Sequence, residues 1–269
     1  MNKELLEKVR ADIQKTGFGS EMHAMKVFLD AGWGCKPGKG YFDQDEQKTR
    51  EIDLAVHRSV HDWTESSNIL FEYHVLAEVR KSERPWIVFT HDVSPTLGEG
   101  WSNPSIYRNL PCSASEISPL LAETSTRRGI PWMGYGVHEA FKNPNEPSRW
   151  YSAAVHACKA CADDLTHEAY SDETLKGFGS GTFLVLSNPI VILDGTLIRA
   201  WLDSGAQLQL EEIELAPLEF DFRTRNLKHD SYRLDIVTLN GLSSFIDRTN
   251  ERVDKIYELL RARKHCEGA

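Results

Sequence analysis

No run of apolar residues in this chain approaches the roughly 20 that a membrane-spanning helix needs. The opening stretch, MNKELLEKVRADIQ, is charged throughout and has no apolar centre, so a secretory leader is not expected. Cysteine is scarce and odd in number: Cys35, Cys112, Cys158, Cys161 and Cys266 are five in 269 residues. A disulfide framework is therefore not expected, and reduced thiols and a cytoplasmic setting are. Positive charge is in deficit, with 31 Lys and Arg against 40 Asp and Glu and a net charge of −9. That argues against broad, non-specific binding to polyanions. It leaves room for a local basic groove, or for an acidic centre whose bound cation inverts the field. Internal repeats, low-complexity segments and charged linkers are also lacking. With 41% hydrophobic and 26% charged residues, the chain is expected to fold as a single domain over 1–269, with insertions.

Apolar spacing predicts a helix over 1–15 and a second from Ser20, its expected N-cap, to Gly32. Ile52 to Val56 reads as a short strand, His57 to Asn68 as a polar connection, and Ile69 to Val79 as a longer strand. PWIVFT (85–90) has the continuous apolar character of a buried strand. Residues 92–150 hold seven of the eleven prolines and read as insertion-rich, with one helix near Ala114–Ser125. An alanine-rich helix is expected over Tyr151–Tyr170, then apolar runs at Phe183–Leu186 and Ile190–Leu193 and a short helix over Leu197–Leu202. Leu208–Leu215, Leu218–Phe222 and Tyr232–Leu239 have the character of strands, and a closing helix is expected over 242–263. The class is α/β: a mixed central sheet flanked by helices, with 183–263 as a C-terminal elaboration.

The informative feature is a broken string of acids: Glu21 in the first turn of the second helix, Asp53 in Glu51-Ile52-Asp53, and Glu78 in Glu78-Val79-Arg80-Lys81. Side chains alternate along a strand, so Glu78 and Arg80 share one face and Val79 and Lys81 the other. If the two strands pair, Asp53 and Glu78 come within a few ångströms. Two desolvated carboxylates repel, and a divalent cation relieves both the repulsion and the desolvation.

Four segments in this order resemble the PD-(D/E)XK nuclease superfamily, whose members share the restriction-endonuclease-like fold. GFGSEMHAMKVFLDAGW (17–33) is similar to the first core helix with its active-site glutamate, here Glu21. YFDQDEQKTREID (41–53) and REIDL (50–54) resemble the lead-in and the strand with the metal-binding aspartate, here Asp53. EVRKSERPWIVF (78–89) looks like the strand with the E-x-K signature followed by the next core strand. The resemblance covers 15–90. It implies a bacterial, standalone, metal-dependent nuclease in which Asp53 and Glu78 bind Mg²⁺, with Mn²⁺ as an alternative. It also implies that Glu21 supports the metal or orients a water, and that the substrate is nucleic acid, DNA rather than RNA. Defence against foreign DNA and repair fit equally. Enzymes that cut both strands are commonly dimers, so a homodimer is compatible, although the sequence shows no dimer signature.

The departure is at position 80, where the superfamily's lysine is Arg80. Arginine stays protonated and cannot act as a general base, but it can hold phosphate charge. Lys81 is the reserve, were a bulge to turn it inward. The alternative is a catalytically degenerate member that binds nucleic acid or a protein partner. A third reading is a docking protein that uses 92–150 and 208–239. Cys158-x-x-Cys161, near His156 and His167, lacks a second pair and reads as helix packing rather than zinc. Asp43, Asp45 and Glu46, with Lys48 and Arg50, read as a solvated turn in preference to a second metal or phosphate site.

Overall fold

The computed structural model describes residues 2–64, 67–93, 103–111, 113, 119, 121, 123–143, 145–166, 179–224 and 231–267. Helix α1 (Lys3–Lys15) is capped by Asn2, whose side chain accepts from the Glu4 amide, and its stripe of Leu5, Leu6, Val9 and Ile13 faces outward. Helix α2 (Phe18–Asp30) begins two residues earlier than expected. Ser20 is not its cap: the Ser20 hydroxyl donates to Asp194 Oδ2 at 2.5 Å, which pins the first turn, Glu21 included, to the sheet.

The strands are β1 (Gly34–Asp43), β2 (Lys48–Thr64), β3 (Ser67–Lys81), β4 (Trp86–Asp92), β5 (Ser105–Arg108), β6 (Trp132–Glu139), β7 (Thr182–Asp194), β8 (Leu197–Leu202), β9 (Leu208–Ile213), β10 (Leu215–Asp221) and β11 (Ser231–Thr238). Helix α3 (Arg149–Asp164) precedes β7, and α4 (Leu242–Glu267) closes the chain. All the strands form one mixed sheet in the order β1-β2-β3-β7-β11-β10-β6-β4-β8-β9, with β5 paired to β7. The protein is therefore mixed α/β, a large mixed sheet with helices packed on it. One core layer joins α2 and α4 to the sheet through Phe28, Trp33, Leu54, Phe71, Phe245 and Ile256. The other seats α3 through Ala153, Ala154, Ala157 and Cys161 against Ile52, Leu76 and Val191.

Several expectations change. Strand β1 was not anticipated: Gly34, Pro37, Gly38 and Gly40 weaken its β signal, and it forms because β2 offers it a partner at the sheet's edge, where proline is tolerated. The connection expected over His57–Asn68 is strand as far as Thr64. Its polar residues are accommodated by the last helix, with Arg58 donating to Asn250 Oδ1 (2.6 Å) and Asp254 Oδ1 (2.8 Å). The two apolar runs at 183–193 are one strand, which passes through Pro189 where its outer neighbour changes from β5 to β11. The stretch expected as a strand over Leu208–Leu215 is divided at Glu214 between β9 and β10. Of the helix near 114–125, residues 119, 121 and 123 are helical, while 114–118, 120 and 122 lie outside the described residues. The alanine-rich helix ends at Asp164, and the expected remainder at 167–170 also lies outside them.

Leu197–Leu202 is strand β8 rather than a helix. The parallel pair β3/β7 runs in register through Lys81–Asp194, breaks, and resumes as the parallel pair β4/β8 from Trp86–Leu197. Pairing with β4 on one edge and β9 on the other overrides local helix preference. In the sheet β4 is separated from β3 by β7, β11, β10 and β6, so the strand of PWIVF follows β3 in the chain without neighbouring it. The break is crowded. Ser82 N donates to Asp194 O, and a Cβ on Gly195 would press into Ser82 O, well inside van der Waals contact. Gly195→Ala is therefore expected to destabilise the fold by about 1–3 kcal/mol. A urea midpoint equal to wild type would rule this out.

Candidate active site

The β1/β2 ladder skips Gly38 and Asp53, and the β2/β3 ladder stops at Leu54–Ala77. Asp53 and Glu78, next in register across that mouth, therefore sit where three strands part. Asp53 Oδ2 accepts from the Val79 amide (2.8 Å) and from Arg80 Nη1 (3.0 Å). Arg80 Nη2 donates to Glu78 Oε2, so a single guanidinium bridges the two carboxylates. Glu78 is 1% exposed. Burial pushes its carboxyl up to about 8 against the pull of Arg80, and Asp53 and Glu21 add to the rise. Glu21 is raised by its own burial and then by Asp53, with Arg80 opposing, so the field of the strand pair reaches it across the helix–sheet gap. The structure thus brings together Glu21, Asp53, Glu78 and Arg80.

Glu21 and Arg80 open onto a cleft of about 740 Å³, which Lys15, Lys81, Arg84 and Arg149 also line. Lys81 reaches it without a bulge, since the β3/β7 register is unbroken through Lys81–Asp194. Arg149 Nη2 donates to Lys81 O (2.9 Å), and Arg84 pairs with Glu146 (2.7 Å). The start of α3 also borders the cleft, but its amides are already satisfied. Glu139 Oε1 accepts from Arg149 N (2.7 Å) and Trp150 N (3.3 Å).

Helix α3 adds residues that sequence reasoning did not assign. Ser152, His156 and Lys159 stand at i, i+4 and i+7, a polar stripe on an otherwise small-residue helix, and that spacing was the available signal. Ser152 lines the cleft, and His156 Nδ1 lies 3.8 Å from Glu78 Oε1. Burial, then the nearby Arg50, Arg80 and Lys159, lower the His156 pKa, which favours a neutral imidazole. Tyr41 from β1 is a second addition. Its hydroxyl is buried without a protein hydrogen-bond partner, and burial and then Glu78 raise its pKa.

The turn acids are not simply solvated. Asp43 is buried, accepts from Lys159 Nζ at 2.8 and 2.9 Å, and takes the amides of Asp45 and Glu46. Burial pushes its pKa up, but the Lys159 and backbone hydrogen bonds outweigh this and leave it lowered. Arg50 completes the cluster, 3.3 Å from Asp43 and 2.6 Å from Glu46. Cys158 and Cys161 are buried free thiols facing the sheet, as packing residues would be. Among the described residues, no group of three or more His, Cys, Asp and Glu side chains is arranged to hold a metal ion.

The chain matches no protein-family model, and neither a curated protein nor a solved structure is detectably similar to it. Fold and site define a mixed α/β protein with an acidic pair at an open sheet end beside a cleft whose wall mixes Lys15, Lys81, Arg84 and Arg149 with Glu83, Glu139 and Glu146. Among the described residues, no helix is long and apolar enough to cross a membrane.

Proposed function

We propose that the protein is a metal-dependent nuclease of the restriction-endonuclease-like kind that residues 15–90 resemble, acting on DNA in preference to RNA. The observation that carries this reading is that Asp53 and Glu78, from two strands, meet on one guanidinium, with Glu21 of α2 within their electrostatic reach at the edge of a charged cleft. The donor set suits a hard cation. Mg²⁺ is commonly held by one or two carboxylates, with waters and substrate phosphate completing its shell. Asp53 and Glu78 bond the same guanidinium, and the Tyr41 hydroxyl, buried without a protein hydrogen-bond partner, lies within the electrostatic reach of Glu78. Asp53 and Glu78 would hold Mg²⁺ or Mn²⁺, which supplies charge neutralisation of the phosphate and an acidified water.

The chain's own groups do the rest. Glu21 orients water at the cleft's edge. Arg80, always protonated, stabilises negative charge on phosphate rather than accepting a proton. Lys15 and Lys81 hold the backbone of the strand lying in the cleft. Incubation of supercoiled plasmid and linear single-stranded DNA with Mg²⁺ or Mn²⁺ should give cleavage. Asp53→Ala and Glu78→Ala should each slow it by at least a hundredfold, the equivalent of about 2.7 kcal/mol of barrier.

One observation favours a second reading, a nuclease-fold protein that binds nucleic acid without cutting it. Arg80 already fills the position between the carboxylates. Intact plasmid and intact single strands with both metals would favour this reading over the first.

A further inference from the structure

Two acids set side by side, one of them almost wholly out of water, cannot both be ionised without a cation beside them. In this protein the compensating charge is covalently attached. Arg80 Nη1 serves Asp53 Oδ2 and Nη2 serves Glu78 Oε2, a planar fork that a lysine's single ammonium would not reproduce. A divalent ion bound to the same two oxygens and the guanidinium exclude each other. The guanidinium also has somewhere to go, because Arg80 lines the cleft together with Lys15, Lys81, Arg84 and Arg149.

We propose that Arg80 is the resident cation of the carboxylate pair, and that a phosphodiester in the cleft draws it off, so that divalent metal and nucleic acid bind cooperatively. This rests on the metal-dependent reading above and adds a role for Arg80 that the reading does not require. The driving force is an exchange of partners. The guanidinium leaves two carboxylates for the two free oxygens of a phosphodiester, to which it can again bond in bidentate fashion. The carboxylates receive a doubly charged ion in its place. Coupling of this kind is reciprocal: if nucleic acid tightens metal binding by some factor, metal tightens nucleic-acid binding by the same factor. Arg80 thereby acts as a positioning residue that keeps the pair in place and the site shut to metal until substrate is present.

The test is Mn²⁺ binding, read from the paramagnetic resonance of the free ion, with and without a phosphorothioate oligonucleotide, single-stranded or duplex, after subtraction of oligonucleotide-only blanks. The wild-type protein should bind Mn²⁺ weakly alone and at least about tenfold more tightly with oligonucleotide. Arg80→Gln should bind it tightly in both conditions and lose the coupling. Arg80→Lys, which keeps the charge but not the fork, should fall between and serves if the glutamine variant fails to fold. Wild-type protein binding Mn²⁺ equally well with and without oligonucleotide, with Arg80→Gln unchanged from it, would overturn the proposal and leave the metal reading standing. An absence of Mn²⁺ binding in every variant and condition would overturn both.

Discussion

Lys159→Met should lower the stability of the protein by about 3 kcal/mol, since removing one partner of a buried ion pair strands the other. Lys159 Nζ bonds both oxygens of Asp43, which is 1% exposed, and also reaches Asp45 Oδ2 at 3.1 Å. The methionine keeps the stem's packing and removes only the charge, so the loss reports the stranded carboxylate rather than a cavity. Arg50 at 3.3 Å and the amides of Asp45 and Glu46 remain, which keeps the loss at the lower end of the usual range. Adding Asp43→Asn should restore more than half of the loss, because the amide oxygen still accepts those two backbone hydrogens while the unpaired charge is gone. Urea unfolding of the two variants at neutral pH decides the matter. A double variant no more stable than Lys159→Met would show that the pair is not the source of the effect.

Between pH 6.5 and 9 the protein should lose about 3 kcal/mol of stability through one histidine. His74 Nδ1 lies 2.7 Å from Asp164 Oδ2 and Nε2 lies 3.3 Å from Glu72 Oε2. Burial pulls its pKa down, but the two carboxylates outweigh this and raise it to about 9. Lys39 also bonds Asp164, the Ser187 hydroxyl lies 3.5 Å from Asp164 Oδ2, and His57 stacks edgewise with ring centres 6.0 Å apart. Cys161, nearby, has a thiol pKa pushed well above its usual value, so it does not titrate in this window. A folded-state pKa above the unfolded value means that the folded state holds the extra proton. The stabilisation is complete below about 6.5, declines as pH rises, and is lost once pH passes about 9. His74→Gln should flatten the urea midpoint across that interval. Glu78, which titrates near 8, is common to both proteins and cancels in the comparison. An equal decline in the variant would place the effect elsewhere.

How much of this was legible depends on how local each decision was. Helices α1 and α2, most of α3 and α4 announced themselves through apolar spacing, and β4, β10 and β11 through apolar or alternating runs. Strand β1, with its glycines and proline, and the second half of β2, with His57, Ser59, His61 and Asp62, carried no such signal. They are strands because a partner strand lies alongside. The same cause reversed Leu197–Leu202. In the site, Glu21, Asp53, Glu78 and Arg80 were legible as acids and a base at particular points of a helix and two strands. His156, Lys159 and Tyr41 were not, because their relevance depends on which strand each element meets.

By itself, then, the sequence determined what repeats within a few residues: the periods of the helices, the shared face of Glu78 and Arg80, and the absence of an apolar membrane-spanning stretch. Tertiary structure alone decided that Asp53 stands beside Glu78 where the ladder opens, that the Arg80 guanidinium lies between them, and that Lys159 and His74 neutralise buried acids from distant segments. Side-chain alternation is a property of a single strand. Coulombic and hydrogen-bonded pairing is set by register and burial, which exist only once segments far apart in the chain are packed against one another.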